Sequence, residues 1–190
     1  MTSAIARVLI IAALLTSCGV DDQPAYKNPK LAVGRRIEDL LGRMTPEEKF
    51  RQLFMVSGES SDTSLYQAGI MGLQVPSPTA GHIDSIQRYF VEKTRLGIPV
   101  LFFDEALHGL VRPGATAFPQ AIALAASWDT TLMSHVAGAI AKECKDRGIR
   151  QILSPVVNLA TDARWGRVEE TYGEDPLLAS AMGVAFVKAF

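Results

Sequence analysis

The stretch Val156-Val157-Asn158-Leu159-Ala160-Thr161-Asp162-Ala163-Arg164-Trp165-Gly166-Arg167-Val168-Glu169-Glu170-Thr171-Tyr172-Gly173-Glu174-Asp175-Pro176 decides how the rest of the chain is read. The β-branched run in front of it, from Ile149 to Val157, has the composition of a strand. It opens into a loop with two arginines, a tryptophan and a cluster of carboxylates. Asp175-Pro176 then pairs a capping carboxylate with a proline at the first helical position, which predicts a helix from Pro176 onward. A strand that delivers polar groups from its C-terminal end is the arrangement on which parallel α/β folds build their sites.

Working outward from that loop, the same alternation recurs. Asp129 is the expected cap of a long helix ending at Gly148, with Leu132, Val136, Ile140 and Cys144 along one face. Gly97-Ile98-Pro99 punctuates a continuous apolar run, Val100 to Phe103, of the kind a strand buried on both faces requires. Ile83, Ile86, Tyr89 and Phe90 give a helix face before it. Leu53 to Val56 and Gly69 to Val75 are two further candidate strands, separated by the polar loop Ser57 to Thr63. Thr45-Pro46-Glu47-Glu48 carries a cap, a first-turn proline and a capping-box glutamate. Strands alternating with helices predict an α/β fold with a parallel sheet and about three βα units.

Nineteen basic residues against twenty acidic ones leave no field for gathering nucleic acid, so a partner must be recognised by a local site. A hydrophobic share of 48% is enough to bury a core. Neither a Gly-x-Gly-x-x-Gly nor a phosphate loop follows any strand, and no cysteine and histidine cluster has metal spacing, so no cofactor and no metal is expected. Cys144 continues an apolar helix face and reads as a small buried hydrophobe.

Three segments resemble one family. Leu40 to Leu53, with Met44, Thr45, Glu48, Lys49, Gln52 and Leu53 in place, is similar to the opening of glycoside hydrolase family 3. Gly97 to Gly109 resembles that family's Gly-Ile-Pro segment. The quoted loop resembles its Asp-Pro-Arg-Trp-Gly-Arg and Tyr-Gly-Glu-Asp-Pro motifs, with Ala163 in place of the proline. The resemblance runs from Leu40 to Phe190 and implies the first part of a (β/α)8 TIM barrel. A whole barrel takes about 250 residues, so the barrel is expected to be incomplete here.

The resemblance also implies roles. The ninth position of the Gly-Ile-Pro segment is a sugar-binding carboxylate in the family, which is Glu105 here, and the second arginine of the loop motif binds the same sugar, which is Arg167. The bland rival for Glu105 is a solvated loop beside Asp104. Trp165 could stack on a sugar face or pack under the loop. Asp162 and Arg164 are expected to brace the loop by pairing, and the other acids to pair with arginines or solvent. His108 belongs to a residue type that can transfer protons, yet reads as a structural histidine.

By the same resemblance, the activity is retaining hydrolysis of a terminal β-glucoside or β-xyloside. Two carboxyl groups about 5 to 5.5 Å apart would perform it. Both, together with a Lys-His pair, are expected beyond Phe190 in a longer parent chain, leaving no catalytic residue here. The presence of Arg-Trp-Gly-Arg-x-x-Glu-x-x-Gly favours this branch over N-acetylhexosaminidases. The alternatives are a surface lipoprotein that binds oligosaccharide without cleaving it and an inactive truncated fragment.

At the N-terminus, Arg7, the apolar run Val8 to Leu15 and the small residues that follow form a secretory signal, too short for the about 20 apolar residues of a membrane span. Leu15-Thr16-Ser17-Cys18 resembles a bacterial lipoprotein box with lipid on Cys18, against a plain signal with an incidental cysteine. Residues 1–17 are then a signal peptide, 18–34 a polar tether and 35–190 the partial barrel domain. The chain is expected at the periplasm or cell surface, held to the membrane only by that lipid.

Overall fold

A computed structural model describes residues 23–58, 63–76 and 79–190. The expected signal peptide and Cys18 lie outside them. The chain divides into two compact units, Met1–Thr45 and Pro46–Phe190. In the first, a 3-10 turn, Ala25–Lys27, precedes helix α1, Val33–Arg43. Asp39 accepts from the Tyr26 N–H at 3.0 Å and pairs with Arg43. Arg36 Nε donates to the Tyr26 carbonyl at 3.0 Å.

The second unit is a four-stranded parallel sheet with strands in sequence order, covered by helices. Helix α2, Pro46–Arg51, leads to β1, Met55–Ser57, and then to β2, Gly72–Gln74. Helix α3, Ala80–Lys93, leads to β3, Leu101–Asp104. Helices α4, Ala121–Ala125, and α5, Thr130–Asp146, precede β4, Gln151–Ile152, and α6, Pro176–Ala189, closes the chain. The register joins Val56 to Leu73, Leu73 to Phe102, and Asp104 to Ile152. This is the expected α/β fold with a parallel sheet. Three strands are followed by helices, and only a 3-10 turn, Thr63–Tyr66, is found among the described residues linking β1 to β2.

The signals that start and stop the helices work as the sequence suggests. Asp129 accepts from the N–H groups of Thr131 and Leu132, both at 2.9 Å, satisfying donors that a helix start leaves open. Asp175 accepts from Leu178 N–H at 2.7 Å. Gly148, at φ +84, ends α5 in the left-handed conformation while Ile149 N–H returns to the Cys144 carbonyl. Gln87 on α3 brackets the entry to β3, its amide donating to the Val100 carbonyl and accepting from Val100 N–H, both at 2.9 Å.

Leu73, Phe90, Phe102, Met133, Ile140 and Met182 fill the core between sheet and helices. Each such side chain contributes about 1.5–3 kcal/mol by leaving water. Cys144 is buried among them, and burial first, then the charges of Asp104 and Glu143, push its thiol up to about 11, so it stays protonated. Glu48 on α2 is buried and ion-paired with Arg95.

Three local expectations need correcting. The run Ile149 to Val157 is a strand only over Gln151–Ile152, because Pro155 has no N–H for a ladder and Leu153 and Val157 are exposed. The first strand is Met55–Ser57 rather than Leu53 to Val56, with Leu53 and Phe54 in a solvent-facing turn after α2. On α5 the buried stripe is Met133, Val136, Ala137, Ile140 and Cys144, so Leu132, one residue off that spacing, is exposed. Beside α6 lies an apolar trough of about 640 Å³, with Val157, Leu159, Val184 and Val187 among its walls. No helix among the described residues is long and apolar enough to cross a membrane.

Candidate functional site

The C-terminal ends of neighbouring strands β3 and β4 carry the polar residues. β3 is apolar for three residues and finishes on Asp104, which is wholly buried, with Glu105 immediately after it and half-buried. Asp104 Oδ1 accepts from Gln74 Nε2 and from the Glu105 N–H, both at 2.9 Å, and forms an ion pair with Arg112 Nη2 at 2.7 Å. The Glu105 carbonyl in turn accepts from Val111 N–H at 3.0 Å. Main-chain bonds therefore hold Glu105 on both sides.

The loop after Glu105 folds back on itself. Phe118 N–H donates to the His108 carbonyl at 2.7 Å, and His108 Nδ1 lies 2.9 Å from the Phe118 carbonyl. A carbonyl only accepts, so Nδ1 carries the proton there. These two contacts hold the His108 ring and main chain against Phe118. Between them Gly109 sits at φ +121, where an added Cβ would lie 2.1 Å from the Thr116 carbonyl oxygen. Helix α5 ties the loop down through Glu143, which accepts from Thr116 Oγ1 at 2.6 Å and from Thr116 N–H at 3.0 Å.

From the end of β4 the chain runs without regular structure to a 3-10 turn, Val168–Glu170. Asp162 and Arg164 pair as expected: Arg164 Nε and Nη2 donate to the carboxylate at 3.0 and 2.6 Å, and the Arg164 N–H caps the same group at 2.9 Å. Both are exposed, so the pair shapes the loop rather than the rim. Trp165 is half-buried. Arg167 donates through Nε and Nη2 to Glu170 Oε2 at 2.8 and 2.6 Å.

Glu105 and Arg167, sixty-two positions apart in the chain, sit close enough for each charge to act on the other. Burial first, then the charge of Asp104, pushes the Glu105 carboxyl above the usual range; Arg167 pulls it down and Glu170 raises it. Pairing with Arg167 holds the Glu170 carboxyl below its ordinary value. An acceptor and a cationic donor thus act on each other beyond the ends of β3 and β4, groups of the kind that a polyol's hydroxyls, each donor and acceptor, can use.

Sequence reading did not single out Gln74 or Arg112 for this site, and gave Glu170 only a pairing with an arginine or solvent. Gln74 and Arg112 stand in apolar or loop surroundings without a local pattern. A signal did exist for the need they meet: a carboxylate ending a buried apolar strand must find a cation.

Comparison with known proteins agrees with this architecture. Beta-glucosidase C of Emericella nidulans is 33% identical over 195 residues, which cover 90% of this chain and 31% of that protein. A beta-xylosidase of Formosa agariphila is 46% identical over 100 residues, 50% of this chain and 14% of its own length. The solved b-glucosidase EmGH1 of Erythrobacter marinus superposes with a TM-score of 0.75 at 33% identity, covering 88% of this chain and 24% of that one. The chain therefore spans a third or less of these relatives. Residues 45–190 match the N-terminal domain model of glycosyl hydrolase family 3, and with most of its length inside that match the chain belongs to this family.

Proposed function

We propose that this chain supplies the sugar-gripping side of a retaining β-glycosidase that removes a terminal glucose or xylose, with Glu105 accepting from and Arg167 donating to the same sugar. The observation that supports this reading is that Glu105, at the end of β3, and Arg167, on the loop that follows its neighbour β4, bear on each other electrostatically. The names of the relatives, beta-glucosidase and beta-xylosidase, support the substrate class. The nucleophile and the acid/base are assigned to the part of the relatives' length that this chain does not span. Trp165, half-buried on the same loop, is the candidate to border the sugar.

The test is a calorimetric titration of the full-length protein with glucose and xylose between pH 4 and 8. An ionised Glu105 is the stronger acceptor, so affinity is greatest above its pKa and falls as pH drops through it. Because that pKa is raised, the loss is expected to begin at a higher pH than an ordinary glutamate would give. Affinity that is flat across the range would remove Glu105 from the site. These 190 residues alone are expected to turn over no nitrophenyl glycoside, and measurable turnover would refute the division of labour.

The signal-like N-terminus and Leu15-Thr16-Ser17-Cys18 support export with lipid on Cys18. Feeding cells a labelled fatty-acid analogue is expected to mark the protein and to leave the Cys18→Ala variant unmarked. Label retained in that variant would overturn the lipid anchor.

A further inference from the structure

Behind Glu105 lies a buried ion pair to which the proposed sugar contacts give no task. Asp104 has no exposed surface, and the Arg112 side chain keeps only 14% of its own. Removing both charges from water costs several kcal/mol per ion, so a pair serving stability alone should satisfy every oxygen and nitrogen it has. This one does not. The hydrogen bonds from Gln74 and the Glu105 main chain and the ion pair with Arg112 all fall on Oδ1, while Asp104 Oδ2 and Arg112 Nε meet no hydrogen-bond partner among the described residues. The usual two-pronged fork of arginine on carboxylate is absent.

The geometry explains the asymmetry. Arg112 follows Val111, whose N–H holds the Glu105 carbonyl, and Asp104 precedes Glu105 and holds its N–H. Asp104, Glu105, Val111 and Arg112 therefore form a closed ring of contacts around the two main-chain polar groups of Glu105. Arg112 Nη2 also reaches the Val75 carbonyl at 3.3 Å, and Nη1 its own neighbour's carbonyl, Val111, at 2.9 Å, which fastens the ring to the end of β2. The charged groups that bear on Glu105 are Asp104 beside it and Arg167 and Glu170 from the loop after β4, with Arg112 neutralising Asp104 from behind.

We propose that Asp104 and Arg112 are a positioning pair for Glu105: the ring fixes where its carboxylate meets the sugar, and Arg112 cancels the neighbouring charge that would oppose its ionisation. This rests on the reading of Glu105 as a sugar ligand, so the test separates the two. In the full-length protein, the Glu105 carboxyl is titrated by carbon-13 NMR, its signal assigned by loss in Glu105→Gln, and glucose affinity is measured by calorimetry.

Arg112→Gln leaves Asp104 uncompensated, so the Glu105 midpoint is expected to rise and glucose affinity at pH 5 to fall about tenfold. Asp104→Asn keeps an oxygen for the Glu105 N–H but leaves Arg112 unbalanced, so the midpoint is expected to fall. Arg112→Lys restores the charge without the planar fork, returning the midpoint toward that of the parent while affinity recovers only in part. A pair that only stabilises the fold would lower the unfolding temperature in all three variants and leave the midpoints where they were, which would overturn the proposal. If Arg112→Gln does not fold, the lowered midpoint of Asp104→Asn against the near-parent midpoint of Arg112→Lys still decides it. Should the parent bind no sugar, the ligand reading of Glu105 falls, and the midpoints alone settle the positioning role.

Discussion

Replacing Arg167 with alanine in the full-length protein is expected to lower kcat/KM toward an aryl β-glucoside by about 100-fold, and replacing Glu105 with alanine by at least as much. A hydrogen bond to a charged group contributes about 1.5–3 kcal/mol net, which corresponds to roughly ten- to 150-fold. Arg167→Ala removes such a donor and also strands the carboxylate of Glu170, whose side chain is 20% exposed and takes both of its short contacts from this guanidinium. Arg167→Lys keeps the charge but cannot span Glu170 and a sugar with one planar fork, so it should fall between the two. The control is Arg164→Ala. Its side chain is 90% exposed and engaged with Asp162, so the change should stay within about twofold, since exposed pairs of this kind contribute little. If Arg164→Ala fell as far as Arg167→Ala, the choice of the second arginine over the first would be wrong.

The second large effect is expected from Gly109→Ala. At φ +121 a side chain is already strained, and the new Cβ would meet the Thr116 carbonyl oxygen at 2.1 Å. That oxygen belongs to backbone that cannot easily retreat, because Glu143 holds Thr116 through its N–H and hydroxyl and Phe118 is paired with His108 in both directions. A loss of about 3 kcal/mol or more is expected in denaturant unfolding. Gly114→Ala is the matched comparison. Gly114 has φ +73, but its nearest neighbour, Arg147 Nη2, is 3.9 Å away, so only the left-handed penalty of about 1 kcal/mol applies. Equal losses for the two would show that the loop yields, and that Gly109 is not what shapes the path from Glu105 to Phe118.

What could be read ahead of the structure was whatever depends on neighbours in sequence. Asp129 and Asp175 are legible as caps because a cap acts on residues two or three positions away. The apolar run ending at Asp104 is legible as a buried strand because a strand covered on both faces tolerates no polar interruption. The pairing of Asp162 with Arg164 spans two positions. Where the outcome depends on distant residues, the sequence falls silent. Asp104 meets Gln74 thirty positions earlier, and Glu48 meets Arg95 forty-seven positions later. The length of β4 depended on Pro155 more than on the β-branched residues around it, and the stripe on α5 turned by one residue because Met133, not Leu132, fits the 3.6-residue repeat with Val136 and Ile140. Glu105 and Arg167 were chosen by motif resemblance; their proximity required the parallel pairing of β3 and β4.

The brevity of the strands has a mechanical consequence. β3, the longest at four residues, is about 13 Å from end to end. Such a stub is a short lever arm: a displacement at its foot, where Gly72 lets Met55 and the Leu101 carbonyl approach closely, reaches the carboxylate at its tip with little damping. Crowding introduced at Gly72, paired with Leu101 at the opposite end of β3 from Glu105, should therefore register at Glu105 as a misalignment rather than be absorbed along the way.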